Sequence, residues 1–155
     1  MTAMTTDPSC PAPGGDAPLV ALLGRAEAAY AAEFDRRLRS SPFCALSLAH
    51  SRNVLQYLTE GPRRASQIVS QCDVTKQAVS QQITHLERQG YLITVTDPTD
   101  RRARLLRLTD HGIAAQKFVS RLFEQIDAEW ETRLGGTAYA ALRASLTDLP
   151  ARSCR

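Results

Sequence analysis

A chain of 155 residues has room for one domain with a real core and not for two ordinary ones. Apolar residues make up 43% and charged residues 23%, a globular composition, and no uncharged run approaches the ~18 residues that a membrane span needs. The formal net charge of +3 is too small to identify a nucleic-acid partner by its total, but residues 61–107 hold eight basic against four acidic side chains while the two flanks are near balance, so the excess sits in one third of the chain.

The opening MTAMTTDPSCPAPGGDA has no basic start followed by an apolar block, which argues against a secretory signal and for a cytoplasmic protein. Its Pro, Gly, Ser and Thr content predicts a disordered tail over 1–16. A single domain is expected over 17–150, with a short tail at 151–155. Leu19, Leu22, Leu23, Ala26, Tyr30, Phe34 and Leu38 then recur at helical spacing, predicting a helix that starts beyond Pro18 and ends near Ser40. Leu48, Val54, Leu55 and Leu58 predict a second helix from Ser47 to Leu58, stopped by Gly61 and Pro62. A short third helix is expected from Ser66 to Cys72, with Ile68, Val69 and Cys72 on one side. A fourth runs to Gln89, capped by Thr75 and closed by Gly90.

Tyr91–Thr96 and Arg104–Thr109 read as two short strands, and the DPTDRR between them as an exposed, basic hairpin tip. Thr109 offers its hydroxyl as the cap of a long helix in which Ile113, Val119, Leu122, Phe123, Ile126 and Trp130 share a face. Gly135 and Gly136 break it, and Thr137 is the expected cap of a last helix carrying Tyr139, Leu142, Leu146 and Leu149 before Pro150. The predicted fold is mainly α with a small β-hairpin: a winged helix-turn-helix over 47–109, flanked by helices at 17–40 and 110–150. Those flanking helices carry more apolar surface than a winged-helix core uses, which predicts a symmetric homodimer rather than a monomer.

Within TKQAVSQQITHLERQ, Val79, Ile83 and Leu86 fall within about 60° of one another on a helical wheel. Gln77, Ser80, Gln81, Thr84 and Arg88 lie opposite, with His85 to one side and Lys76 in the first turn. A solvated helix more commonly carries Glu and Lys at such positions, whereas neutral amides and hydroxyls suit base edges in a major groove. At the hairpin tip Arg101 and Arg102, beside Asp100, are placed to straddle a phosphate backbone or enter a narrow minor groove, and Asp100 is expected to orient an arginine. Arg104 and Arg107, further along the strand, read as phosphate contacts or salt-bridge partners.

The run DPTDRRARLLRLTDHG resembles the wing signature of the multiple-antibiotic-resistance regulator (MarR) family, and VTKQAVSQQITHLERQGYL is similar to that family's recognition helix. The resemblance implies a dimeric winged-helix transcription factor that binds double-stranded DNA, with Thr75, Lys76, Gln77, Ser80, Gln81 and Thr84 in the helix and Arg101 and Arg102 in the wing as its contacts. Arg63, Arg64, Arg88 and Arg104 are candidate contacts to the DNA backbone. Gln81 and Gln82 stand where such helices often have a basic and an apolar residue, so no operator sequence is implied. The family further implies a repressor released by a small aromatic or amphipathic effector, for which Tyr30, His50, Arg52 and Tyr57 are candidate pocket residues; Tyr30 and Tyr57 are equally explained as core aromatics.

Other chemistries are weakly represented. No GxSxG, phosphate loop or HExxH occurs, so neither an enzyme nor a cofactor is expected. Cys10, Cys44, Cys72 and Cys154 lie far apart, and His50, His85 and His111 show no chelating spacing with one another, which argues against a metal site. Cys72 reads as core, and Cys44 keeps open a redox-sensing alternative. A winged-helix protein-interaction module without sequence-specific DNA binding is the other alternative, since fold alone does not fix function.

Overall fold

Pro18 sets the backbone ahead of α1 (Leu19–Arg39), and the amides of Ala21 and Leu22 close onto its carbonyl. The computed structural model describes residues 17–149 apart from Asp73; the tails expected at 1–16 and 151–155 and the stop at Pro150 lie outside the described residues. The second half of α1 enters the core through Phe34 and Leu38. It lies along the long helix α5 (Asp110–Leu134), where Phe34 meets Phe123 at 4.8 Å and Tyr30 meets Trp130 edge-on at 5.5 Å between ring centroids. Aromatic pairs at such spacings add to the area they bury.

The segment expected as one helix from Ser47 to Leu58 is two pieces. Ser47 caps α2 (Leu48–Asn53) by accepting from the His50 amide, and at Val54 the backbone leaves helical geometry (φ −132°, ψ −60°) before a 3-10 turn over Leu55–Leu58. In a continuous α-helix Val54 and Leu55 would diverge by about 100°. The break turns Val54, Leu55 and Leu58 inward together, and all three are buried.

Helix α3 (Ala65–Gln71) starts where the Gln67 side chain accepts from the Arg64 amide, 2.8 Å away. Helix α4 (Lys76–Arg88) follows the turn that holds Val74 and Thr75. Strands β1 (Leu92–Thr96) and β2 (Arg104–Leu108) pair antiparallel from Leu92↔Leu108 to Thr96↔Arg104. Arg63 adds a one-residue third strand that the sequence reading did not foresee, its amide donating to Leu106 O at 3.1 Å and its carbonyl accepting from Leu106 N at 2.8 Å.

The junction of wing and α5 explains why Leu-Thr is followed so soon by Gly. The Thr109 hydroxyl donates to Gly90 O at 2.6 Å and accepts from Gly112 N at 3.0 Å, so one side chain ties the end of α4 to the start of α5. A Cβ on Gly112 would stand 1.9 Å from the Tyr91 carbonyl oxygen, so no side chain fits. Along α5, Ala115, Val119, Leu122 and Ile126 are buried, Phe123 and Trp130 partly so; Ile113, expected on that face, is exposed because it projects beside the base of the wing. The last helix, α6 (Gly136–Thr147), begins one residue before the expected cap Thr137: Gly135 makes the turn, and its carbonyl accepts from Tyr139 N. No residue of α6 is buried.

Candidate nucleic-acid interface

Helix α4 is seated by Val79, Ile83 and Leu86, whose burial fixes which side faces out. Thr75 caps it, its hydroxyl accepting from Ala78 N at 3.2 Å. At the other end Gly90 adopts φ +73°, with Gly90 N bonded to Glu87 O and Tyr91 N to Leu86 O, which is a Schellman closure. The outward residues Gln77, Ser80, Gln81, Thr84 and Arg88 line one shallow depression, as the helical wheel predicts. Lys76 is exposed at its edge. The Thr84 hydroxyl donates to Ser80 O, so it faces the depression as an acceptor, whereas Glu87 turns away to receive a hydrogen bond from the Thr94 hydroxyl on β1. The strip therefore displays amides and hydroxyls with cations at its margin and no carboxylate.

The wing is held from its inner side. Asp97, buried although it sits at the base of the hairpin loop, accepts from Thr99 N at 2.8 Å, Thr99 Oγ1 at 2.6 Å and Arg64 Nη2 at 2.7 Å. These donors, the Thr99 hydroxyl first and Arg64 next, hold its carboxyl well below the usual carboxylate range. Asp100 accepts from Arg102 N at 3.1 Å and lies 3.6 Å from Arg64 Nη2. Asp100, expected to orient an arginine, shapes the turn through the Arg102 amide and faces Arg64 rather than the side chains of the tip. Arg64, a candidate backbone contact, is a brace between the start of α3 and the wing. Arg63 pairs with Glu60 at 2.7 Å, and Arg104 donates across the hairpin to Thr96. Arg88 stays on the strip. Arg101 and Arg102 are exposed, and neither side chain has an ion-pair partner among the described residues.

The four candidate pocket residues separate. Tyr30 and Arg52 line one cleft of about 580 Å³ with Leu23, Leu48, Phe123 and Trp130. In it the Tyr30 hydroxyl donates to Asp127 at 2.9 Å, and burial, then Asp127, pushes its ionisation above the usual range; Arg52 pairs with Glu27 at 2.7 Å. His50 instead stacks on His85, and the Tyr57 hydroxyl donates to Gln71 O at 3.0 Å, so neither lines that cleft. A second cleft, of about 830 Å³, lies between the base of the wing and α5, with Leu58, Ile93 and Ile113 as apolar walls and Arg107 and Lys117 at its sides. The sequence reading missed it because its walls come from three separate elements. Cys72 is only partly buried, and its thiol donates to Asn53 O; Cys44 is exposed. Among the described residues no cluster of three His, Cys, Asp or Glu could hold a metal, and no helix is long and apolar enough to cross a membrane.

Helix, turn, exposed polar helix and braced hairpin define a winged helix-turn-helix protein. The MarR family model matches residues 48–103, from the start of α2 through the wing tip. Over that segment the chain is similar to the MarR family, and the fold around it is a winged helix-turn-helix. Among solved structures it is similar to the reduced form of MarR from E. coli (19% identity, TM-score 0.76, covering 88% of this chain and all of that one). It is also similar to the transcriptional repressor CouR bound to a 23-mer DNA duplex (24%, 0.72, 84% and 90%) and to FabT of Streptococcus pneumoniae in complex with DNA (23%, 0.66, 85% and 97%). No curated protein matches the chain by sequence.

Proposed function

We propose that this chain is a sequence-specific, double-stranded-DNA-binding transcriptional regulator that acts as a homodimer, and that it represses until a small molecule releases it. The observation that carries the reading is the carboxylate-free strip of Gln77, Ser80, Gln81, Thr84 and Arg88 beside a wing whose Arg101 and Arg102 are exposed. Amides and hydroxyls on a helix of this width suit base edges in a major groove, while the wing cations suit phosphates or a narrow minor groove. CouR and FabT, which share the fold, are DNA-bound in their solved structures.

The dimer is supported by apolar side chains left exposed at both ends of the chain: Leu19, Val20, Leu22 and Leu23 on α1, and Leu134, Leu142, Leu146 and Leu149 at the other. A second copy would cover these faces. The Tyr30–Arg52 cleft lies between these helices and α2, where an aromatic or amphipathic effector would act on both layers. The test is to incubate the full chain with sheared genomic DNA and sequence what it retains, with sedimentation alongside. A recurring, two-fold-related motif and a dimer at micromolar concentration are expected; unselective retention by a monomer would refute the reading.

A further inference from the structure

His85 is the one residue of α4 whose ring joins the helix to α2 and the connection before it. Its Nε2 donates to the carbonyl oxygen of Ala45 at 2.8 Å. Its face lies on the ring of His50, with centroids 4.6 Å apart and planes within 3° of parallel. His50 in turn has Nδ1 3.0 Å from the hydroxyl of Ser47, the residue that caps α2. Two half-buried imidazoles therefore link α4 to the 45–50 segment, and both belong to the side chain that can gain charge near neutral pH.

We propose that His50 and His85 are a positioning pair that seats α4 on α2 while they share no more than one proton, and that a second proton drives the rings apart and unseats the helix. The proposal rests on the reading of α4 as the DNA-facing helix. A single imidazolium over a neutral ring is attractive, in the manner of a cation on an aromatic face. Two imidazolium ions at this separation repel, in a half-buried site that water screens poorly. Burial, then His85, lowers the protonation of His50, opposed by Asp35 of α1, whose carboxylate is held by the Leu48 amide at 2.8 Å. The remaining charges next to His85 on α4 are turned elsewhere: Glu87 to Thr94 and Arg88 to the outward strip.

The direction is diagnostic. Adding positive charge to a DNA-binding protein ordinarily strengthens its hold on phosphates, whereas unseating α4 weakens it. The test compares the wild-type chain with His50→Phe, which keeps a flat ring that cannot charge, and with His50→Gln, at about pH 7.5 and about pH 5.5. Hydrogen exchange of the α4 amides, corrected for intrinsic rate, should show opening about tenfold easier at the lower pH in the wild type, the equivalent of one pKa unit, and no such change in either variant. Affinity for the duplex recovered from genomic DNA should fall by a similar factor on acidification in the wild type alone. Should the variants not fold, the ring-proton signals of His50 and His85 in the wild type decide: both rings reporting both of two separated steps supports the pair, and each ring following a single step of its own overturns it. Equal α4 exchange at both pH values in the wild type, or the same acid response in His50→Phe, also overturns it. A chain that binds no duplex at any pH would refute the DNA reading, and exchange alone would then judge the pair.

Discussion

Helix α4 and the wing stand side by side on one face, yet they are built and held differently. The helix shows neutral amides and hydroxyls and is set from behind by Val79, Ile83 and Leu86, three apolar side chains in the core. The wing shows charge at Arg101 and Arg102 and is set by a polar device, the Asp97 carboxylate gripped by Thr99 and Arg64. On the proposed DNA-binding function, the difference separates two tasks. Planar amides on a rigid helix discriminate between bases, while exposed guanidinium groups on a hairpin add attraction that any duplex shares. In such a division the helix should respond to changes in packing and the wing to changes in charge, pH and salt.

The largest expected effect falls on the helix's seat. Leu86→Ala, at a fully buried position, should cost about 2–5 kcal/mol of stability, the range for deleting a leucine side chain from a core; denaturant unfolding measures it, and a loss below about 1 kcal/mol would mean that α4 is not held by packing. The next effect is local to the wing. Arg64→Ala should leave the unfolding midpoint nearly unchanged but accelerate hydrogen exchange at Asp97, Ala103 and Thr99, since Arg64 joins α3 to the hairpin; unaltered exchange there would show that the brace is incidental. A pH dependence follows from the same carboxylate. The folded-state pKa of Asp97 lies below its unfolded value, so the stabilisation it gives the wing is full above the ordinary value of about 3.9 and is lost as pH falls below that toward the depressed value. Wing exchange should therefore rise in acid in the wild type, and in Asp97→Asn it should be fast throughout; a wing that loosens equally in both proteins breaks the assignment.

Much of this contrast is legible in the residues. The period of Val79, Ile83 and Leu86 marks the buried side of α4, and Thr75 and Gly90 mark its ends, because local chemistry decides caps and closures. The hairpin follows from two β-rich runs around a Pro- and Asp-containing tip. What escapes a linear reading is contact between distant elements. Arg64 looks like one more surface cation until the fold brings Asp97 against it, and His50 and His85 have no sequence spacing that predicts their stacking. The one-residue strand at Arg63 has no period at all. The exposed Ile113 and the early start of α6 at Gly136 fail for a related reason: helical pattern and cap preference are weak guides where the tertiary neighbour is missing or a glycine turn precedes the helix.

The central claim, a reading helix beside an anchoring wing, is tested most directly by titrating Gln81→Ala and Arg102→Ala against the retained duplex and a scrambled one at several salt concentrations. Gln81→Ala should cost about 1–3 kcal/mol on the preferred duplex, relax preference at one position per half-site and leave scrambled DNA almost untouched. Arg102→Ala should weaken both duplexes together and lower the salt slope by roughly one unit per protomer. Equal losses on both duplexes for Gln81→Ala, or an unchanged affinity and salt slope for Arg102→Ala, would contradict the account.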